Sequence, residues 1–162
     1  MCGKNQQLSV GVNSSVGGGS VARIDSISVE ETWARLERDA GSVLIDVRTA
    51  AEWAYIGVPD LSSIGKRPVL VEWQTFPDNR PNTAFVDRVI EALIAIGANK
   101  DSELLFICRS GSRSLSAARA MASAGYVRCR NVADGFEGPL DPDRHRGRLA
   151  GWKAKGLPWA QT

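Results

Sequence analysis

One histidine and three cysteines in 162 residues are a thin supply of metal ligands and bases, and the thinness excludes several classes of protein. A lone His145 cannot anchor a zinc site by the usual Cys/His spacings, and no base partner for a Ser-His-Asp mechanism is visible. Among Asp141, Asp143, Arg144 and Arg146 it reads as a surface residue. Cys2, Cys108 and Cys129 are odd in number and scattered, so they do not form a disulfide framework, and a reducing compartment fits them best. No apolar run approaches the ~20 residues of a membrane span, and the N-terminus lacks the apolar core of a secretory signal. The expectation is a cytoplasmic protein with no membrane partner. Neither charge dominates, with 20 Lys+Arg against 18 Asp+Glu, which implies no general nucleic-acid-binding surface.

What is present suits one globular domain: 43% hydrophobic and 23% charged residues in 17.5 kDa. A chain of this length buries roughly 70% of its unfolded surface without help from disulfides or metals. Basic residues gather late. From residue 101 onward ten basic side chains face six acidic ones, so small anions are better candidate ligands there than cations. Residues 1–22 are rich in Gly, Ser, Asn and Gln and lack periodicity, the pattern of a flexible tail; the domain is expected over 23–162.

Alternation begins at Ile24-Asp25-Ser26-Ile27, and Ser28 three residues before Glu31 has the capping-box spacing. Val29, Trp33 and Leu36 then share one face of a helix reaching about Arg38. Ser42–Val47, Val69–Trp73 and Leu104–Ile107 are short, nearly continuous apolar runs, as expected of strands covered on both faces. Between the last two, Phe85, Val89, Leu93 and Ile96 mark a helix ending at Gly97; after them Leu115, Ala118, Met121 and Ala122 mark another, closed by Gly125. Tyr126–Val132 is the last expected strand. The stretch from Gly151 to Trp159 reads as a C-terminal element docked by Trp152 and Trp159. Strands alternating with helices predict an α/β fold: a central parallel sheet of about five strands with helices on both faces.

Ligands collect outside the carboxyl ends of such strands. There the chain reads Cys108-Arg109-Ser110-Gly111-Ser112-Arg113-Ser114 before a helix begins. Gly and small hydroxyl residues let this backbone curl with several N–H groups inward, an anion-binding nest at a helix N-terminus. Inward amides, the helix dipole and nearby guanidinium groups all favour thiolate over thiol, so Cys108 is the candidate nucleophile. Cys129 has no such loop and reads as a packing residue.

Four motifs in order, Asp46-Val47-Arg48 with Glu52-Trp53, the Cys108 loop, Asn131–Gly138, and Gly156-Leu157-Pro158-Trp159, resemble a single-domain rhodanese over residues 24 to 160. The resemblance implies a three-layer rhodanese-like fold and a sulfurtransferase that carries sulfane sulfur on Cys108. It implies supporting roles for Asp46 and Arg48, with Arg48 and Glu52 paired. Amides from Arg109 through Ser114, with the Ser112 and Ser114 hydroxyls, would stabilise the persulfide; Arg113 is the first choice and Arg109 the second for holding an anionic donor such as thiosulfate. The partners are that donor and a thiol or protein sulfur acceptor, and double displacement needs neither metal nor organic cofactor. Two departures stand out. Ile56-Gly57-Val58-Pro59 replaces Gly-His-Ile-Pro, and the Leu61–Asn82 passage is long enough to shape a pocket mouth, although a structural loop is the preferred reading. A cysteine-dependent phosphatase is the nearest rival, but its loop has five residues between cysteine and arginine where this chain has four. An arsenate reductase with Cys129 as resolving thiol, and a persulfide carrier or interaction module, are further alternatives.

Overall fold

The computed structural model describes residues 22–161, and most of the expected tail lies outside them. Strand β1 (Asp25–Ile27) leads into helix α1 (Val29–Arg38), whose N-terminus is capped by the Ser28 hydroxyl accepting from the Glu31 amide at 3.0 Å. Then follow β2 (Val43–Asp46), α2 (Ala50–Ile56), β3 (Val58–Pro59), a 3-10 turn at Ser62–Ile64, β4 (Val69–Leu70), α3 (Phe85–Ala95), β5 (Leu104–Ile107), α4 (Ser112–Ser123), β6 (Cys129–Val132) and β7 (Trp159–Ala160). Five strands pair in parallel in the order β1-β6-β5-β2-β4. β3 and β7 form a separate antiparallel pair.

Period-two alternation divides the core between the faces. Val43, Ile45 and Val47 of the β2 run and Leu104, Phe106 and Cys108 of the β5 run pack with Phe85, Val89 and Leu93 of α3 and Ala117, Ala118 and Met121 of α4. Leu44, Leu105 and Ile107 face the other way, against Val29 and Leu36 of α1 with Phe136 and Trp152. This is the three-layer arrangement expected from the pattern.

Several expectations change. β4 stops at Leu70 because Val71 and Trp73 turn off after bonding the Asp46 and Val47 carbonyls, and Glu72 reaches the Ala50 amide at 2.7 Å. β6 starts at Cys129 because Tyr126 is still tied to the Met121 carbonyl at the end of α4. Of the two docking tryptophans only Trp152 is fully buried, its indole N–H on the Pro158 carbonyl at 2.7 Å; Trp159 remains 39% exposed because β7 pairs at the rim, with Lys153 over its ring. Helix α2, absent from the periodicity reading, has a complete capping box between Thr49 and Glu52, a Thr-x-x-Glu signature legible in the sequence.

Candidate active site

From β2 the chain passes outward to β4 and returns on the other side as β5, so the carboxyl ends of β2 and β5 meet where strand order reverses. Parallel sheets leave a crevice at that point. β2 supplies Asp46 and, just past its end, Arg48; Cys108 is the first residue past the end of β5.

Cys108 is 1% exposed. Its Sγ accepts a hydrogen bond from the Gly111 amide at 3.1 Å, and the Ser114 hydroxyl lies 3.2 Å away, in the first turn of α4. The N-terminus of α4 adds its positive dipole end. The loop is held by the segment after β6: the Phe136, Glu137 and Gly138 amides bind the Cys108 and Arg109 carbonyls at 2.8, 3.0 and 3.1 Å. With those carbonyls engaged, the turn keeps its Gly111 N–H on the sulfur. Where the loop touches the chain after β6, glycine is obligatory on both sides of the contact. At Gly111 φ is +102° and a Cβ would meet the Ala133 carbonyl oxygen at 2.1 Å; at Gly135 a Cβ would lie 2.5 Å from the Cys108 oxygen. Among the described residues no other main-chain N–H bonds Sγ, and the exposed Ser110 and Ser112 do not bond it either.

The pairing of Arg48 with Glu52 implied by the resemblance is overturned. Arg48 instead forks onto Asp46, with Nη2 to Oδ2 at 2.6 Å and Nε to Oδ1 at 3.0 Å, both residues being 0% exposed. Residues two apart on an extended strand share a face, which brings the pair together locally. Arg48 also donates to the Gly57 carbonyl at 2.8 Å and lies over the Phe136 ring, 4.0 Å from its centroid. The pair therefore packs on the α1 side, opposite Cys108, and supports the crevice from behind.

Glu52 turns to Arg113 of α4. Arg113 Nη1 and Nη2 donate to the two carboxylate oxygens at 2.8 and 2.7 Å, a bidentate clamp between α2 and α4. Burial pushes the Glu52 carboxyl up, but the Arg113 guanidinium and the Thr49 amide and hydroxyl outweigh it, bringing the carboxyl from an ordinary 4.5 to about 2. Arg113 thus spends one N–H of each terminal nitrogen on Glu52. Arg109 is exposed and makes no ion pair with a described residue.

Outside the loop opens a cavity of about 370 Å³. Thr49, Glu52, Arg109 and Arg113 line it together with Gln74, Phe76 and Asn79 of the long passage, where a bridge between Gln74 and Pro81 forms a lip. The passage therefore shapes the mouth, contrary to the preferred sequence reading. A larger cleft of about 660 Å³ lies at the opposite end of the sheet, by Ser42, Lys66 and Ile96, but its lining holds no cysteine, histidine or carboxylate. Asp141, Asp143 and His145 come within 4.8 Å of one another at the surface, where Asp141 already accepts from the His145 amide and Arg148.

The family model described as STR4 middle domain matches residues 24–162. The chain belongs to this family. A crystal structure of Rv0390 from M. tuberculosis is 40% identical, covers 87% of this chain and 100% of its own, and has a TM-score of 0.77. Thiosulfate sulfurtransferase 18 of Arabidopsis thaliana is 31% identical over 111 residues, 68% of this chain and 75% of that protein. A rhodanese-like domain protein from Staphylococcus aureus shares the fold at 18% identity and a TM-score of 0.51, covering 86% of this chain and 99% of its own. The chain thus has a rhodanese-like fold and a family relationship to sulfurtransferases. The motif resemblance holds at that level, although the matching model is not that of rhodanese itself. No helix among the described residues is long and apolar enough to cross a membrane.

Two site features escaped sequence reasoning. Asn131 of β6, read as a strand residue opening the Asn131–Gly138 motif and given no role at the site, has its carboxamide oxygen 2.7 Å from the Ser114 hydroxyl. A polar residue inside a buried strand was the available signal, since such groups must find partners. The Glu52–Arg113 clamp spans 61 residues of sequence and left no local sign.

Proposed function

We propose that this chain is a sulfurtransferase that carries sulfane sulfur on Cys108, taking it from a small anionic donor such as thiosulfate and passing it to a thiol or protein acceptor. The supporting observation is the environment of Sγ: a main-chain N–H donates to a sulfur at a helix N-terminus, with a hydroxyl within reach. Those groups stabilise negative charge on sulfur. In the loading step the Cys108 thiolate forms a bond to the donor's outer sulfur, the donor's S–S bond breaks, and sulfite leaves with the electron pair. In the second step the acceptor thiolate takes the terminal sulfur and Sγ departs as thiolate. Electrons and atoms balance without a further reactant.

A sulfur covered to 1% exposure favours donors that present a narrow one-coordinate sulfur tip. Arg109, at the cavity wall, is the group we assign to the donor's anionic end. Arg113 and Glu52 hold the loop to α2. Phosphatase chemistry is disfavoured by the four-residue spacing and by the engagement of Arg113 with Glu52. An arsenate-reductase role is disfavoured because Cys129 pairs with Leu104, at the far end of β5, about 13 Å along the strand from Cys108.

Incubation with thiosulfate followed by intact-mass measurement tests the reading. The expected result is a gain of one sulfur atom that is lost in Cys108→Ser. Hydrolysis of p-nitrophenyl phosphate without that gain would transfer the assignment to the phosphatase. Steady-state comparison of thiosulfate, 3-mercaptopyruvate and glutathione persulfide then ranks the donors.

A further inference from the structure

Ser114 has one hydroxyl proton and two acceptors within reach, Asn131 Oδ1 at 2.7 Å and Cys108 Sγ at 3.2 Å. Ser114, Asn131 and Cys108 are all buried, at 0%, 4% and 1% exposure. On its other side Asn131 Nδ2 donates to the Ser26 hydroxyl at 3.0 Å, and Ser26 stands exposed on the edge strand β1. In this orientation the shorter bond draws the Ser114 proton away from sulfur.

A carboxamide carries an acceptor and a donor of nearly equal size on one planar carbon. A half-turn about its last torsion exchanges them while every other heavy atom keeps its place. In the turned orientation Nδ2 donates to Ser114 Oγ, Oδ1 accepts from Ser26, and the Ser114 proton is released to Sγ. Both orientations satisfy all three polar side chains, so the choice between them falls to the sulfur. Sulfur bonded to a second sulfur is a neutral, weak acceptor and loses the proton to a carbonyl oxygen. Sulfur becoming a thiolate is charged, and a hydrogen bond to it is roughly twice as strong as a neutral one.

We propose that Asn131 is a positioning residue that sets the direction of the Ser114 hydroxyl, holding it while Cys108 bears a persulfide and turning to release it onto Sγ as the sulfur is handed over. The inference rests on Cys108 being the carrier. Its effect falls on discharge: when the acceptor attacks the outer sulfur and the Sγ–S bond breaks, Sγ keeps the electron pair, and a hydroxyl aimed at it stabilises the developing charge.

Two substitutions separate this role from a merely structural one. Asn131→Asp retains every acceptor and keeps partners for both Ser26 and Ser114, but it cannot donate and so retains the Ser114 proton. Asn131→Leu loses all those bonds yet leaves Sγ as the acceptor for Ser114. Each purified variant is loaded with thiosulfate, freed of excess donor, and discharged with dithiothreitol in a single turnover followed by intact mass. We expect discharge to slow about tenfold in Asn131→Asp and in Ser114→Ala, and to stay within threefold of wild type in Asn131→Leu. Should leucine not be accommodated, Asn131→Ala carries the same expectation. Combining Asn131→Asp with Ser114→Ala should slow discharge no further than Ser114→Ala alone. A leucine variant slower than the aspartate variant, or slowing that multiplies in the double variant, overturns the proposal. Failure of the wild type to take up sulfur from thiosulfate would instead strike the carrier reading, and this inference with it.

Discussion

Cys108 and Cys129 sit on adjacent strands of one sheet, both buried, and their surroundings are opposites. Cys108 lies at the carboxyl end, where the Gly111 amide donates to its sulfur. Cys129 lies at the amino end and donates its own S–H to the Tyr126 carbonyl at 3.2 Å. Burial pushes the Cys129 thiol from 9.0 up to about 12, against a smaller pull from Arg130. The lesson lies in the direction of the chain. At the carboxyl end of a parallel strand the next helix presents its N–H groups, whereas the chain entering β6 presents a carbonyl, so one cysteine meets donors and the other an acceptor.

The ion pairs repeat the contrast. Behind the site, Asp46 and Arg48 are both fully buried. At the amino end Glu103 is buried, but its partners Arg35, Arg128 and Arg130 retain 23%, 46% and 28% exposure. Removing a partner therefore strands a buried charge at one end and returns cations to water at the other.

The sharpest way to break the comparison is to exchange the cysteines' fates. Cys108→Ser should abolish sulfur uptake from thiosulfate, while Cys129→Ser should leave the transfer rate within twofold, both read by intact mass and turnover. A transfer defect in the second variant would refute the division of the sheet into reactive and packing ends. Next in size is stability. Arg48→Met should cost roughly 3–5 kcal/mol in urea unfolding, the scale for a stranded buried charge, whereas Glu103→Gln should cost less than about 2 kcal/mol because its arginines are rehydrated. Equal losses would deny that exposure of the partners matters.

The loop arginines give a smaller effect. Arg109→Ala should raise KM for thiosulfate about tenfold with kcat within twofold, as expected for loss of a charge-assisted contact. Arg113→Ala should lower kcat more than it raises KM, because the clamp to Glu52 is lost. The reverse pattern would restore the assignment made from sequence, in which Arg113 held the donor. The smallest effect concerns acid. Because the Glu52 carboxyl is depressed to about 2 from 4.5, the clamp's contribution to stability is full above about 4.5 and is lost as pH falls toward 2. The difference in urea midpoint between wild type and Glu52→Gln should shrink across that window, and a difference independent of pH would show that the clamp does not stabilise through charge.

Much of this was legible along the chain. The β2 and β5 runs showed their burial on both faces, the helices over 29–38, 85–95 and 112–123 showed their apolar stripes or glycine stops, and the Cys108 loop stood out by composition. Short elements were less visible. Helix α2 has seven residues, none of them buried, so no apolar stripe announces it and only its cap does. β4 lost three expected residues because, beyond the Val71 and Trp73 bonds to the Asp46 and Val47 carbonyls, Glu72 turns to α2 and Gln74 bridges Pro81 in the lip.

Local order alone thus determined where strands and helices would form and which cysteine would stand before a glycine-turned helix start, since periodicity, caps and turns are set by neighbours a few residues apart. Partnerships were decided only by folding. Whether Glu52 faces Arg48 or Arg113, whether Asn131 meets Ser114, and which donors reach Sγ depend on strand order bringing distant segments to one edge, and a charge or hydroxyl takes whichever complement arrives nearest with water excluded.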